Sequence, residues 1–150
     1  MNKKTLILFS LLVASLFLYG FAGKVLLGDY KTKNAEEKQI IEALISYEKA
    51  YNEHNLEGAL SYCSETAKLR PTAEFVQVSK EDYMKRFPGQ FYLFPTYAFY
   101  NPEIKEYGGK ADLNLQLDTG NWTLDYEINM IKEKDKWVIQ ETSWENLRIK

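Results

Sequence analysis

The second half of this 150-residue chain alternates between apolar and polar side chains, first through residues 112–117 and again through 122–130. Successive side chains of a strand point to opposite faces, so this pattern predicts half-buried antiparallel strands. Outer strands are predicted at 95–106 and 136–144, with turns between neighbouring strands. An antiparallel sheet is therefore expected to occupy the second half of the chain.

The first half has the period of helices. Asn34, followed three residues later by Glu37, has the spacing of a helix cap with a reciprocal side-chain bond. An apolar stripe runs from Ile40 to Tyr51 along one face of the segment that follows. We expect one helix here, ending at residues 52–55.

Two further helices are predicted before the sheet begins. Asn55 can cap a short helix that carries Cys63 on its apolar face, which would form a helical hairpin with the first helix. A short strand is predicted at residues 75–78. Ser79, with Asp82 three residues later, is expected to begin a third helix over Lys80–Phe87. Helices followed by a meander of strands indicate the α+β class.

The N-terminus predicts export. Lys3 and Lys4 precede nineteen uncharged residues, Thr5–Gly23, a run that nearly crosses a bilayer core of about 30 Å. We expect a signal anchor with a cytoplasmic N-terminus or, alternatively, a signal peptide cleaved after small residues at 20–22. Either outcome places the domain outside the cytoplasm, as a single-pass membrane protein or a secreted one. The predicted organisation is a targeting segment at 1–27, a linker at 28–33 and one domain at 34–150.

Three segments carry a family resemblance. AYNEHNLEGALSYCSETAKL at the helical hairpin, VSKEDYMKRF at the third helix and the closing KWVIQETSW resemble the nuclear transport factor 2-like superfamily. The resemblance implies a cone-shaped α+β roll, in which a strongly curved antiparallel sheet wraps around the helices. It also implies frequent dimerisation and a pocket at the open end. The superfamily includes isomerases, cyclases and dehydratases as well as binding domains, so the fold does not determine the function.

Composition excludes several kinds of site. Cys63 is the only cysteine and His54 the only histidine, which excludes internal disulfides and multi-histidine or multi-cysteine metal sites. The chain after Gly23 carries 17 basic and 21 acidic side chains without a basic cluster, which argues against nucleic-acid binding. We expect no metal and no cofactor.

One carboxylate is the sharpest candidate for chemistry. If Leu117 pairs with Trp122 and Ile131 with Lys136, then Glu141 shares the apolar face of the sheet with Tyr126. A carboxylate there would have a raised pKa and could exchange protons with a ligand while a tyrosine donates a hydrogen bond. A register slip of one residue would instead turn Glu141 outward. The remaining predicted pocket-lining residues are Tyr47, Tyr51, Leu113, Trp122, Ile128, Trp137 and Ile139.

Two functions follow from these patterns. The first is a membrane-tethered, non-catalytic binding or assembly domain that takes a small apolar ligand or forms a homodimer through the outer sheet face, with Thr142 and Trp144 as candidate contacts. The alternative is a small-molecule isomerase, cyclase or dehydratase that uses Glu141 and Tyr126. Known isomerases of this fold need a second pocket acid, and cyclases and dehydratases usually need a histidine. Neither can be placed here, so the binding function is preferred.

Overall fold

The structure of the protein, a computed structural model, describes residues 23–72 and 74–150. The predicted membrane segment Thr5–Gly23 lies outside the described residues except for Gly23. Within the described part, no helix is long and apolar enough to cross a membrane.

Three α-helices pack on one face of a six-stranded sheet, as the α+β prediction required. They are α1 (Ala35–Asn52), α2 (Leu56–Leu60) and α3 (Lys80–Arg86), and short 3₁₀ helices occupy Leu27–Asp29 and Phe87–Leu93. We call the space between these helices and the sheet the interior, and the opposite side of the sheet its outer face.

The sheet is open and mixed. Its strands are β1 (Cys63–Leu69), β2 (Val78–Ser79), β3 (Ala98–Tyr107), β4 (Lys110–Asp118), β5 (Trp122–Glu133) and β6 (Lys136–Ile149). Their order is β2-β1-β6-β5-β4-β3. β1 runs parallel to β6, so the prediction of a purely antiparallel sheet is wrong at this pair.

The caps form as their spacing predicted. The Asn34 side chain accepts a hydrogen bond from the Glu37 N–H at 2.8 Å, and Glu37 accepts one from the Lys33 N–H at 2.8 Å. The first bond satisfies a backbone group that the first helical turn leaves without a partner. The reciprocal bond goes to the residue before the N-cap, where the predicted capping box has the N–H of Asn34 itself. At α3, Ser79 caps the Asp82 N–H at 3.1 Å.

The second helix is shorter than expected. It ends at Leu60, and Cys63 begins strand β1 rather than completing an apolar helical face. Cys63 pairs with Ile139 of β6, more than seventy residues away in sequence. The predicted strand at 75–78 is confined to Val78–Ser79.

The folded unit begins before the predicted linker. Leu26 forms an antiparallel bridge with Tyr100 at the edge of β3, and Leu27 is only 2% exposed. The Val25 N–H donates to the Asn101 side chain at 2.9 Å, while the Asn101 N–H donates to the Val25 carbonyl at 2.8 Å. We call Lys24–Leu27 the docked segment; it belongs to the domain.

Helix α1 covers part of the edge of β3. Asn52 bonds both backbone groups of Tyr97, donating to its carbonyl at 2.7 Å and accepting from its N–H at 2.9 Å. One turn earlier, Glu48 accepts from the Phe99 N–H at 2.7 Å. An open strand edge is a template for unwanted pairing, and these side chains occupy it.

Candidate functional site in the interior

A cluster of tyrosines fills the centre of the interior. Its members are Tyr47, Tyr51, Tyr83, Tyr97 and Tyr126, all at most 3% exposed. We call this group the tyrosine cluster. It joins α1, α3, the start of β3 and the middle of β5.

The hydroxyls of the cluster form a short chain. Tyr47 donates to Tyr51 at 3.4 Å, and Tyr51 donates to Tyr83 at 2.9 Å. The rings of Tyr51 and Tyr97 stack with their centroids 4.4 Å apart. Aromatic stacking and hydroxyl bonding together hold the helices on the sheet.

Burial keeps these hydroxyls neutral. It raises the pKa of Tyr47, Tyr51, Tyr83 and Tyr97 well above the ordinary tyrosine value, because a buried phenolate would lose its hydration. The pKa of Tyr126 is raised for the same reason. The cluster can therefore donate and accept hydrogen bonds but offers no charge to a substrate.

One hydroxyl in the cluster lacks a hydrogen-bond partner. Among the described residues, Tyr97 carries the only buried side-chain oxygen or nitrogen without a hydrogen bond. The hydroxyls of Tyr47 and Tyr126 influence its pKa, but neither bonds it with normal geometry. A buried polar group without a partner is costly, so the Tyr97 hydroxyl is the group of the cluster that can still take a hydrogen bond.

The predicted pocket-lining residues do meet in the interior. Trp122 is partly buried and packs edge-on against Phe94 at 5.5 Å, and the others are buried. The buried ones are Tyr47, Tyr51, Leu113, Ile128, Trp137 and Ile139. They take part in one continuous core, so their side chains occupy the space in which a pocket was predicted.

Glu141 is not on the interior face. Met130 pairs with Ile139 but Asn129 pairs with Glu141, so β6 carries one extra residue, Gln140, at a β-bulge. After the bulge, the residues of β6 that a regular strand would turn inward point to the outer face. Glu141 therefore lies opposite exposed Asn129 and accepts a 2.6 Å hydrogen bond from Gln77. The predicted inward orientation of Glu141, on the same face as Tyr126, is therefore wrong.

The bulge brings two other residues inward. Thr142 and Trp144, predicted as contacts on the outer face, are buried instead, and Trp144 pairs with Tyr126. The Thr142 hydroxyl accepts from the Arg70 N–H at 3.0 Å, and the Trp144 indole donates to the Pro71 carbonyl at 3.0 Å. The Arg70 guanidinium stacks 4.2 Å from the Trp144 ring.

The predicted strand register was displaced by two residues before the bulge. Leu117 pairs with Leu124 rather than with Trp122, and Ile131 pairs with Val138 rather than with Lys136. A displacement of two residues keeps each side chain on its predicted face. The faces predicted for Tyr126 and Ile139 were correct for this reason.

Carboxylates are nearly absent from the interior. Glu37 is the only buried one among the described residues, and it closes the cap of α1. Burial raises the pKa of the half-buried Glu48 carboxyl, and the hydrogen bond that it accepts from the Phe99 N–H partly offsets this effect. Glu48 and Asn52 were not predicted as important, because their partners on β3 are distant in sequence.

Neither the histidine nor the cysteine builds a catalytic or metal site. His54 is exposed, has a φ of 57° at the end of α1 and stacks on Phe91 at 4.6 Å. Burial raises the pKa of the Cys63 thiol to about 12. In the described ranges, no three histidine, cysteine or acidic residues are grouped to hold a metal ion.

A surface groove lies outside the interior. It has a volume of about 530 Å³ and runs between α1, the turn after α2 and the β5–β6 hairpin. Ala43, Tyr62 and Val138 give it an apolar floor, while Glu42 and Lys136 stand at its walls. Nearby, Glu36 fixes the hairpin to α1 by accepting from Lys132 at 2.8 Å and from the Trp137 indole at 2.8 Å.

The outer sheet face is acidic. Its exposed and half-exposed side chains on β4, β5 and β6 include Asp112, Asp125, Glu127, Glu141 and Glu145. A two-fold dimer places one patch against its own copy, so pairing through this face would oppose carboxylates to carboxylates. Half-exposed Ile131 adds an apolar side chain to this face, and the homodimer stays a prediction.

The molecule is thus an α+β domain with an aromatic, uncharged interior. The sequence matches no protein-family profile and no curated protein. The structure resembles a protein of unknown function with a cystatin-like fold from Nostoc punctiforme, with a TM-score of 0.64 and 14% identity over 77% of this chain and 93% of that one.

Two further solved structures agree with this fold. A nuclear transport factor 2-like protein of unknown function from Shewanella oneidensis has a TM-score of 0.60 and 18% identity, covering 74% of this chain and 99% of that one. A provisionally named scytalone dehydratase from Novosphingobium aromaticivorans has a TM-score of 0.61 and 13% identity, covering 77% and 87%. The chain has the nuclear transport factor 2-like fold.

Proposed function

We propose that this chain is an exported, membrane-tethered binding or assembly domain without catalytic activity. The observation that carries the proposal is the occupied interior. Where a proton-transfer site would lie, tyrosine side chains bond one another, and Glu141 points away from them. General acid–base catalysis needs a titratable group at the reacting atom, and neutral tyrosines with raised pKa values are poor bases near neutral pH.

Binding by this domain then takes place on its surface. Phe75 is 81% exposed and Val76 62% exposed, which is unusual for adjacent apolar side chains. Phe75 rests on Trp144 at 5.6 Å and on the Arg70 guanidinium at 5.8 Å, so its base is fixed. An exposed aromatic side chain on a fixed base suits contact with a protein partner.

A proton-transfer enzyme is the second candidate. The unpartnered Tyr97 hydroxyl favours it, because that hydroxyl could donate to the carbonyl of a bound ligand. The similar structure named as a dehydratase belongs to a different protein and supports only the possibility that this fold hosts such chemistry.

Photocrosslinking of the full-length protein in its native membranes tests the proposal. A photoreactive phenylalanine analogue at position 75 is expected to give a discrete protein adduct. The same analogue at Tyr107, an exposed aromatic on the β3–β4 hairpin, is the matched control and is expected to give none. Absence of an adduct at position 75, together with a small molecule that co-purifies and is lost in Tyr97→Phe, would favour the enzyme instead.

A further inference from the structure

The docked segment leaves no spacer between the proposed membrane anchor and the domain. Thr5–Gly23 contains nineteen uncharged residues, which as a helix would extend about 28 Å, and a hydrocarbon core is about 30 Å thick. A transmembrane segment would therefore use the whole run. Lys24 would be the first residue outside the hydrocarbon, and Val25 is already bonded to Asn101.

Chain geometry then limits the distance between the domain and the bilayer. Two residues reach at most about 7 Å, so the backbone bonds between Val25 and Asn101 lie within about 7 Å of the end of the run. The headgroup layer on each side of a bilayer is about 5–8 Å deep. Given the proposed membrane tether, on which this step rests, we infer that the docked segment and the β3 edge around Asn101 lie against the lipid headgroups.

The side chains at this edge suit a headgroup layer. Val25 and Leu26 are 39% and 48% exposed, so apolar surface is available beside the bilayer. Lys24 and Lys150 both bind Asp118, at 3.1 and 2.5 Å. These ammonium groups are near the docked segment and can also meet lipid phosphates.

Arg148 extends the same basic group. It binds Asp125 at 2.7 Å and pairs in the sheet with Thr123, which in turn pairs with Asp118, the residue that binds Lys24. Four carboxylates lie at the same end of the sheet: Asp118, Asp125, Glu145 opposite Asp125, and Glu103 beside Asn101. The three cations therefore do not give this edge a net positive charge, and the short tether is what holds it near the headgroups. The other acids of the outer face, Asp112, Glu127 and Glu141, lie farther along the sheet toward its β3–β4 and β5–β6 hairpins.

Lipid contact would give the outer sheet face a second role. Contact with lipid at the β3 edge would occupy part of the surface that was predicted for a homodimer. Phe75 rests on Trp144 of β6, which is three strands from β3 in the sheet order, so lipid contact at β3 would leave it accessible to a partner.

Spin labelling of the full-length protein tests the contact. Glu103→Cys places a label two residues beyond Asn101, and the matched control Glu81→Cys places one on α3 at the other side of the sheet. Both positions are exposed. Native Cys63 is buried, so the reagent modifies the introduced thiol.

The labelled proteins are reconstituted in vesicles of phosphatidylcholine and phosphatidylglycerol, and collisions with a water-soluble nickel chelate are measured. We expect a several-fold lower accessibility at position 103 than at 81. If Glu103→Cys fails to fold, Leu26→Cys, at a 48% exposed position of the docked segment, is expected to give the same result. Equal accessibility in a chain that stays in the membrane at full length would overturn the lipid contact and leave the tether intact. Recovery of a shortened, soluble chain would overturn both.

Discussion

Replacing Tyr97 with phenylalanine removes the one buried hydroxyl that has no partner while keeping the ring. An unsatisfied buried polar group costs about 1–3 kcal/mol, so Tyr97→Phe is expected to raise the free energy of unfolding by about 1 kcal/mol. The ring contact with Tyr51 at 4.4 Å is unchanged. For a domain of this size, the melting temperature should rise by about 3–5 °C.

The matched control is Tyr51→Phe. This change removes a hydroxyl that bonds Tyr47 and Tyr83 and leaves their oxygens with fewer partners, so it should lower the free energy of unfolding by about 1–2 kcal/mol. Urea denaturation of residues 23–150, followed by tryptophan fluorescence, measures both variants. If Tyr97→Phe destabilises as much as Tyr51→Phe, the Tyr97 hydroxyl has a partner in solution, and the description of that hydroxyl as unsatisfied is refuted.

Three further predictions concern the same core. Burial raises the pKa values of the tyrosine cluster, so above about pH 10 the unfolded chain releases protons that the folded state keeps. The free energy of unfolding should therefore fall above that pH, by up to about 1.4 kcal/mol per pH unit for each tyrosine. Urea midpoints at rising pH measure this, and tyrosinate absorbance from the cluster before unfolding would contradict it. Asn52→Ala should lower the free energy of unfolding by about 1–3 kcal/mol, because it removes the partner of both backbone groups of Tyr97. The control Glu53→Ala changes an exposed side chain and should have almost no effect. Equal urea midpoints for the two variants would show that Asn52 does not protect the strand edge. Gly120→Ala should lower the free energy of unfolding by about 1–3 kcal/mol, because φ is +86° and the new methyl would lie 2.8 Å from Pro95. Gly28→Ala is the control, since a methyl there enters open space and should leave the stability unchanged. Thermal melts of the two variants compare them.

Local signals predicted the helices and the strand faces well. The caps at Asn34 and Ser79 act within three residues, so their spacing in the sequence is enough to place them. The alternation through β4 and β5 depends only on which side of a strand is buried. Both kinds of signal are independent of distant partners.

Strand β1 shows where local signals fail. Residues 63–69 have no regular alternation, and their strand conformation depends on pairing with β6 and on packing under α3. The docked segment was missed for a similar reason, since Val25–Leu27 continue the apolar composition of the N-terminal run after one lysine. Only the free edge of β3 makes them part of the domain.

The orientation of Glu141 could have been questioned from the sequence. Ile139 and Trp144 are both large apolar residues of one strand, but they are separated by an odd number of positions. A regular strand cannot turn both to the same face, so a bulge between them was implied. Which residue is extra depends on the pairing of Thr142 with Ile128, and the sequence does not show that pairing.

The bulge at Gln140 also bears on how chains of this kind can change length. Deleting Gln140 would restore one-for-one pairing with β5 and leave Thr142 and Trp144 facing inward. Deleting Ser143 would instead turn Trp144 to the outer face and detach Arg70 from its ring. Insertions and deletions in homologous chains are therefore expected to collect at the bulge, where the strand can gain or lose a residue without exchanging its faces.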